Sequence, residues 1–378
     1  MNIKSGYKSI NGDYIFAKIA KKAQEYKKKH PSATLINLGV GDVCFTPSKS
    51  LCENLIGETE YFSTEQGFCG YPDERGIEPL RKKISEYYFS LGAKVLPDEI
   101  FITTGAKPAL GELFEICYFN KASIVVPTYP LYQELCDLHF VDYLLIKSNN
   151  KNAYPLPKEQ SDVVFLCSPN NPTGTILSAN AIKKYITYAK NNDSLIVIDG
   201  AYVDFSKKYI CPYSFSGSEN IVEVRSYSKN LCFTGLRCGY VVIKKQNSLY
   251  DAYKRYLTLR SNGVNVIIQK TAISSYNEKC KKEEWARIEY YKKNAKILKK
   301  ALKSVGYNVK GGENAPYLLV EVKESGETFC DKLLNDMQII ATPGEAFNAP
   351  NQIRFSCLAR REDILEGAKR IISSPLKK

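Results

Sequence analysis

Residues 163–200 read VVFLCSPNNPTGTILSANAIKKYITYAKNNDSLIVIDG. Two continuous apolar runs, 163–168 and 194–200, frame a stretch from Ser178 to Asn191 whose apolar residues recur at helical spacing. A strand covered on both faces needs an unbroken apolar run, so this strand–helix–strand reads as part of a buried, parallel α/β sheet. The alternation continues outward. Upstream lie the strands EIFITTG (99–105) and SIVVP (123–127), with helices over 80–92, 108–118 and 131–138. Downstream lie NIVEVRSY (220–227) and CGYVVI (238–243). The stretch between 138 and 163 reads as a loop. Sheets of this kind present their ligand loops at the carboxyl ends of the strands.

From about residue 284 a long polar helix leads into a second pattern of strands, YLLVEV (317–322), QIIATPG (338–344) and QIRFSC (352–357), with helices near 326–335 and 361–372. The chain is therefore expected to divide into a large unit over 46–283 and a small α+β unit over 284–378. Residues 1–45 would join the small unit, through an amphipathic helix over 14–30 (Ile15, Phe16, Ile19, Ala20, Ala23) and a short strand LINLG (35–39).

Composition narrows the function. The 378 residues are 44% hydrophobic and 25% charged, which excludes a disordered or collagen-like chain. No apolar run reaches the ~20 residues that span a bilayer, and the opening MNIKSGYKSINGDY lacks the apolar stretch of a secretion signal, so a cytoplasmic protein with no membrane partner is expected. The 12 cysteines are scattered singly with no CxxC pair, reading as reduced, mostly buried thiols, and no metal is expected. Two histidines, His30 and His139, leave little room for histidine-based triads. The charge of +13 comes mostly from lysine spread along helix faces such as KIAKKAQEYKKKH and KILKKALK. That distribution favours a mild pull on anionic small molecules over nucleic-acid binding.

Five loops follow the strands. Gly105-Ala106-Lys107 opens a helix, whose free N–H groups and positive dipole end suit a phosphate. Pro127-Thr128-Tyr129-Pro130 offers Tyr129 to the face of an aromatic ligand. In Ser168-Pro169-Asn170-Asn171-Pro172-Thr173-Gly174, two prolines and a glycine fix a turn that presents the Asn171 amide. Asp199-Gly200-Ala201-Tyr202 ends a buried strand with a carboxylate, which is costly unless a cation such as a protonated ring nitrogen meets it. Ser226-Tyr227-Ser228-Lys229, followed by Gly235-Leu236-Arg237, combines phosphate-holding groups with a lysine whose burial would lower its pKa and suit it to a Schiff base. Each loop alone is ordinary; the five in this order describe one site for an anion and a ring.

The set NNPTG, Asp199-x-Ala201-Tyr202, Ser226-x-Ser228-Lys229 and Gly235-x-Arg237, with Arg354 in QIRFSC, resembles the class I/II aminotransferases, which are fold-type I pyridoxal-phosphate enzymes. The resemblance implies a large domain with a mostly parallel seven-stranded sheet between helices, plus a smaller α+β domain. It implies that Lys229 carries pyridoxal 5′-phosphate, that Asp199 keeps the ring nitrogen protonated, that Asn171 and Tyr202 contact the ring oxygen and that Tyr129 stacks on the ring. Ala106, Lys107, Ser226, Ser228 and Arg237 would surround the phosphate. Tyr71 would reach that phosphate from a neighbouring subunit, making the active unit a homodimer, and Arg354 would clamp the substrate carboxylate. Lys229, Asp199 and Tyr129 are the catalytic residues in this reading.

Finer features resemble one branch, the LL-diaminopimelate aminotransferases: GDYIFAKIAKKAQEYKKKHPSATLINLGVGDV with Tyr14 and Gly41, GYPDERGIEPLRKKISE, EIFITTGAKPALG, TPGEAF and RFSCLARREDI. That branch implies interconversion of LL-2,6-diaminopimelate and 2-oxoglutarate with tetrahydrodipicolinate and glutamate, toward lysine and peptidoglycan precursors. Lys107 and Asn262 would hold the distal carboxylate of the substrate, and Glu74 of the neighbouring subunit its distal ammonium. The chain departs from the branch in GDVCFTP, in PDERG and in a shorter stretch around GEAFNAPNQIRF, all bearing on the distal pocket. The competing readings are an aromatic, alanine or aspartate aminotransferase, a β-eliminating C–S lyase on the same fold, and a cofactor-binding regulator. No helix-turn-helix segment accompanies the last.

Overall fold

The structure, a computed structural model, describes residues 5–9, 14–149 and 152–374. Part of the opening segment read above, residues 1–4 and 10–13, lies outside the described residues. At the centre is a seven-stranded sheet in the order Ile100–Thr103, Gly239–Ile243, Ile221–Ser226, Leu195–Asp199, Val163–Cys167, Lys121–Val126, Asp142–Lys147. Pairing is parallel from Ile221–Ser226 outward to Asp142–Lys147. Gly239–Ile243 runs antiparallel to both of its neighbours. The sheet is thus mostly parallel, with CGYVVI as its reversed strand.

Strand residues alternate between two cores, as a period of two requires. Ile100, Ile102, Val164, Leu166, Ile196 and Ile198 pack into one cluster with Leu80, Ile84 and Tyr88 of the helix Glu78–Ser90. Phe101, Val163, Phe165 and Val197 face the other, with Leu110 and Leu113 of the helix Ala106–Ile116. Both faces are apolar, which is why these strands read as continuous runs.

Asp142–Lys147 is a strand where the sequence reads as a loop. It forms the sheet edge, and its residues are only exposed or half-buried, so the buried-run signature is absent. Helices over Lys49–Phe62 and Val266–Ser274 also escape the sequence pattern.

The long helix starts at Glu278, ahead of the expected 284, and runs to Ser304. Beyond it, Val309–Gly311, Tyr317–Glu321, Gln352–Ser356 and Thr342–Pro343 form a four-stranded antiparallel sheet. The run 338–344 is split: Ile339–Ile340 pairs instead with Ile36–Asn37, in parallel. The helix Ile15–Lys29 packs Ile19 against Leu334 and Ile340. The N-terminal segment thus lies against the C-terminal part of the chain.

Candidate active site

The strands ending at Thr103, Val126, Cys167, Asp199 and Ser226 all point the same way, so the five loops share one edge of the sheet. There they enclose a cleft of about 370 Å³. Its lining includes Gly41, Ala106, Lys107, Tyr129, Asn171, Asp199, Tyr202, Ser226, Ser228, Lys229, Arg237 and Arg354. These residues span more than three hundred positions, and the fold brings them to one place.

Asp199 is 4% exposed. Its carboxylate accepts from the Tyr132 hydroxyl at 2.8 Å and the Ala201 backbone N–H at 3.1 Å. Burial pushes its pKa up, and those two donors hold it partly back. Both donors are neutral, and no ion pair among the described residues includes Asp199. A carboxylate so placed calls for a cation in the cleft.

Lys229 donates to the Gly41 carbonyl at 2.6 Å. Burial brings its pKa down to about 8; Asp42 supports the charged form, while Arg354 and Arg237 oppose it. An amine near 8 holds or releases a proton readily at neutral pH.

The end of the cleft whose groups suit an anion is built around the first turn of the helix Ala106–Ile116. The strand Gly239–Ile243 starts beside it, and a Cβ at Gly239 would stand 2.5 Å from the Arg225 carbonyl oxygen and 3.0 Å from Gly105 Cα. Gly105 itself has φ +114, and a Cβ there would stand 2.5 Å from an Arg237 Nη. Arg237 donates to Ser228 Oγ at 3.3 Å and to the Thr234 carbonyl at 3.0 Å, and the Ser226 hydroxyl donates to Ser228 Oγ at 3.0 Å. Arg237 has φ +58, a conformation unusual for a side chain of this size and kept where a site demands it.

Arg354 is 1% exposed. It donates to Asn171 Oδ1 at 3.0 Å, the Gly39 carbonyl at 2.5 Å and Thr342 Oγ1 at 3.2 Å, while its Nε is buried without a partner. The rings of Tyr317, Phe347 and Phe16 surround it at 4.4, 4.8 and 5.2 Å. Burial lowers its pKa. Tyr202 and Tyr317 share a hydroxyl–hydroxyl hydrogen bond of 2.6 Å. A Cβ at Gly41 would stand 2.4 Å from the Tyr317 hydroxyl, so glycine there opens the cleft floor. Burial raises Tyr129 to about 12 and raises Tyr14, which stands beside Tyr129 and Arg354. Lys107 lies over the Tyr14 ring at 4.4 Å, and burial lowers its pKa against the pull of Glu134.

Tyr71, Glu74 and Asn262 stand apart from these residues. Tyr71 is 86% exposed, Glu74 half-buried and Asn262 exposed, and none lines the cleft. They share one surface: a Cβ at Gly263 would stand 2.8 Å from Pro72 and 3.1 Å from the Asp73 carbonyl. The cleft also holds residues that sequence reasoning missed as site residues. Tyr317 opens an apolar strand, and Phe16 belongs to a helix stripe. Both carry a core signal, and only the tertiary fold turns them toward Arg354. Asp42 follows Gly41 directly, and that adjacency was the available signal.

Pyridoxal 5′-phosphate fits these residues. The partner-poor Asp199 suits a protonated ring nitrogen, the cradle of Arg237, the two serines and the helix start suits a phosphate, and the unpaired Arg354 Nε suits a carboxylate. The fold and cleft are those of an aminotransferase, and residues 33–371 match the family described as aminotransferase class I and II. The chain belongs to that family. Among its relatives, an LL-diaminopimelate aminotransferase from Prochlorococcus marinus (strain MIT 9515) is 33% identical, covering 99% of this chain and 100% of the relative. A solved L,L-diaminopimelate aminotransferase from Chlamydomonas reinhardtii superposes with a TM-score of 0.90 at 26% identity, covering 98% of each chain. An aspartate aminotransferase from Thermus thermophilus shares the fold, with a TM-score of 0.87 at 19% identity over 98% of this chain and 99% of that one.

Proposed function

We propose that the chain is an LL-diaminopimelate aminotransferase, moving an amino group between LL-2,6-diaminopimelate and 2-oxoglutarate to give tetrahydrodipicolinate and glutamate. In this reading it works in the cytoplasm as a homodimer, with pyridoxal 5′-phosphate on Lys229 and with units divided near residues 45 and 283. The observation that carries it is the meeting of a buried Arg354 that has no carboxylate partner among the described residues and one nitrogen unsatisfied, a lysine near pKa 8 and a buried Asp199 in one cleft, in a chain whose full-length relatives carry that name.

Ser226, Ser228, Arg237 and the backbone at Ala106–Lys107 would hold the phosphate; Asp199 would hold a proton at the ring nitrogen; Tyr129, Asn171 and Tyr202 would bracket the ring. When bound, the cofactor supplies an electron-withdrawing ring to the substrate carbon that loses its proton. Lys229 Nζ takes that proton from Cα and returns it, which its pKa of about 8 permits in both directions. Arg354 orients the α-carboxylate so that the Cα–H bond faces Lys229. The aromatic wall of Phe16, Tyr317 and Phe347 keeps water from the Arg354 contact. Lys107 and Tyr14 and, from the neighbouring subunit, Glu74 would bind the far end of the substrate; Asn262, expected from the sequence to act beside Lys107, lies outside its own chain's cleft and next to the Pro72–Asp73 turn, so we assign it with Glu74 to the neighbour's site.

A rapid absorbance scan of the loaded protein, mixed separately with LL-diaminopimelate and with glutamate, tests the reading. Loss of the visible cofactor band with both compounds, at low diaminopimelate concentration, is expected. Loss with glutamate alone would leave an aminotransferase of other specificity. Loss with neither, together with release of pyruvate and ammonia from a cysteine-type amino acid that carries a sulfur leaving group on Cβ, would indicate the lyase.

A further inference from the structure

We infer that Arg287 is a positioning residue for Lys229: one guanidinium ties the loop that carries Lys229 to the loop that carries Gly41 and Asp42. The inference rests on Lys229 being the working amine. The two loops are remote in sequence, and among the described residues hydrogen bonds join them at two points. One is Lys229 itself, whose Nζ donates to the Gly41 carbonyl at 2.6 Å. The other is Arg287, on the helix Glu278–Ser304. Its Nη1 donates to the Thr46 carbonyl at 2.8 Å, and its Nη2 donates to the carbonyl of Asn230, the residue after Lys229, at 3.2 Å. Nη1 also lies 3.4 Å from Cys232 Sγ. Whenever Lys229 Nζ engages another atom, its tie to Gly41 is given up, and Arg287 is the tie that stays.

The chemistry of the group suits this work. A planar guanidinium reaches two carbonyls on divergent sides, whereas a lysine offers one point of attachment. Arg287 takes part in none of the ion pairs of the described residues, and its Nε is buried without a partner. Arg287 is half-buried and meets carbonyls rather than a carboxylate, so what it contributes at this seam is geometric. The helix that bears it grips the same loop nearby: Tyr290 packs on Phe45 at 4.9 Å, and the Tyr291 hydroxyl lies 3.7 Å from Cys44 Sγ.

What that geometry controls is the set of charges facing Lys229. Asp42 and the Cys232 sulfur support the ammonium; burial, Arg354 and Arg237 oppose it. Asp42 sits on the loop that Arg287 holds, while Arg354 and Arg237 do not. Loosening Arg287 therefore weakens the Asp42 support and leaves the opposition, and the Lys229 amine becomes more acidic.

The test uses the full-length protein as wild type, Arg287→Gln, Arg287→Lys, Asp42→Asn and the double variant Arg287→Gln/Asp42→Asn. The pH dependence of Lys229 modification by an amine-reactive anhydride is read by mass spectrometry on cofactor-stripped protein, alongside thermal melting. Arg287→Gln is expected to lower the midpoint by about half a pH unit to one, Arg287→Lys to recover less than half of that, and the double variant to fall no lower than Asp42→Asn. A folded Arg287→Gln with the wild-type midpoint, or full additivity in the double variant, overturns the inference. If the glutamine variant does not fold, Arg287→Lys carries the test, because it keeps the charge and loses the two-point tie. A chain that takes up no pyridoxal phosphate yet shows the labelling shift would sink the functional reading and leave the role of Arg287 standing.

Discussion

Arg354 and Tyr71 are both assigned to ligands, and the chain treats them in opposite ways. Arg354 is 1% exposed, ringed by three aromatic side chains, with a nitrogen left unpaired. Tyr71 is 86% exposed and lies on a surface with Glu74 and Asn262. A buried cation without a carboxylate costs several kcal/mol, so one chain alone records the need for an anion at Arg354. An exposed tyrosine costs next to nothing and records no need at all. Residues that complete a site within one chain announce themselves by burial; residues that complete it across a proposed dimer do not.

The comparison is broken most directly from the buried side. Lys229→Ala should lower kcat by about 10⁴-fold or more, since the proposed nucleophile and base are lost together. Steady-state turnover with LL-diaminopimelate measures it; wild-type rates would remove the assigned chemistry. Arg354→Lys is the next largest effect. Exchanging the two-point contact for one point, in a wall built for a planar group, should cost about 100-fold in kcat/KM, from the roughly 2–5 kcal/mol carried by a desolvated charge pair. The loss should appear for glutamate as well as diaminopimelate, since both present an α-carboxylate.

The exposed side is sharpened by mixing. Tyr71→Ala should lose about 30-fold in turnover if a neighbour's hydroxyl holds the phosphate, a contact of about 2 kcal/mol. Refolded together with Lys229→Ala, it should regain about a quarter of wild-type activity, because half of random dimers are mixed and each holds one intact site. No regain would mean that Tyr71 serves its own chain or no site. Glu74→Gln should be smaller and selective: about tenfold in kcat/KM for diaminopimelate, with glutamate unchanged, as one distal ion pair is removed.

Burial also explains what the sequence discloses. The strands Val163–Cys167 and Leu195–Asp199 are legible because both faces are covered, while Asp142–Lys147 is illegible because it is the sheet edge. Asp199 is legible because a carboxylate closing an apolar run violates the local pattern. Tyr317 and Phe16 are illegible because aromatic residues at core positions obey it, and their turn toward Arg354 depends on strands and helices far apart in the chain. Tyr71 and Glu74 enter through family likeness alone, having no local physical signature.

Glu284 tests whether a buried ionisable group with an unsatisfied atom always marks a ligand. It is 8% exposed, and its Oε1 has no hydrogen-bond partner, yet it does not line the cleft. Burial, reinforced by Asp204 and offset by Arg287, pushes its pKa up to about 9. The sign of its effect follows from the two states. Near pH 4.5 and below, the carboxyl is largely protonated folded or unfolded; between about 4.5 and 9 only the folded chain keeps the proton, so stability falls as pH rises through that window. Glutamine is neutral throughout. Glu284→Gln should therefore stabilise the protein by about 1–3 kcal/mol at pH 8, with the gain shrinking toward pH 5, and should leave kcat within about twofold. Thermal melts at the two pH values measure it. A pH-independent difference would mean that Glu284 is charged in the folded protein, already holding a counter-ion, and the contrast drawn from Arg354 would then need charge pairing as well as burial to separate a ligand site from a structural one.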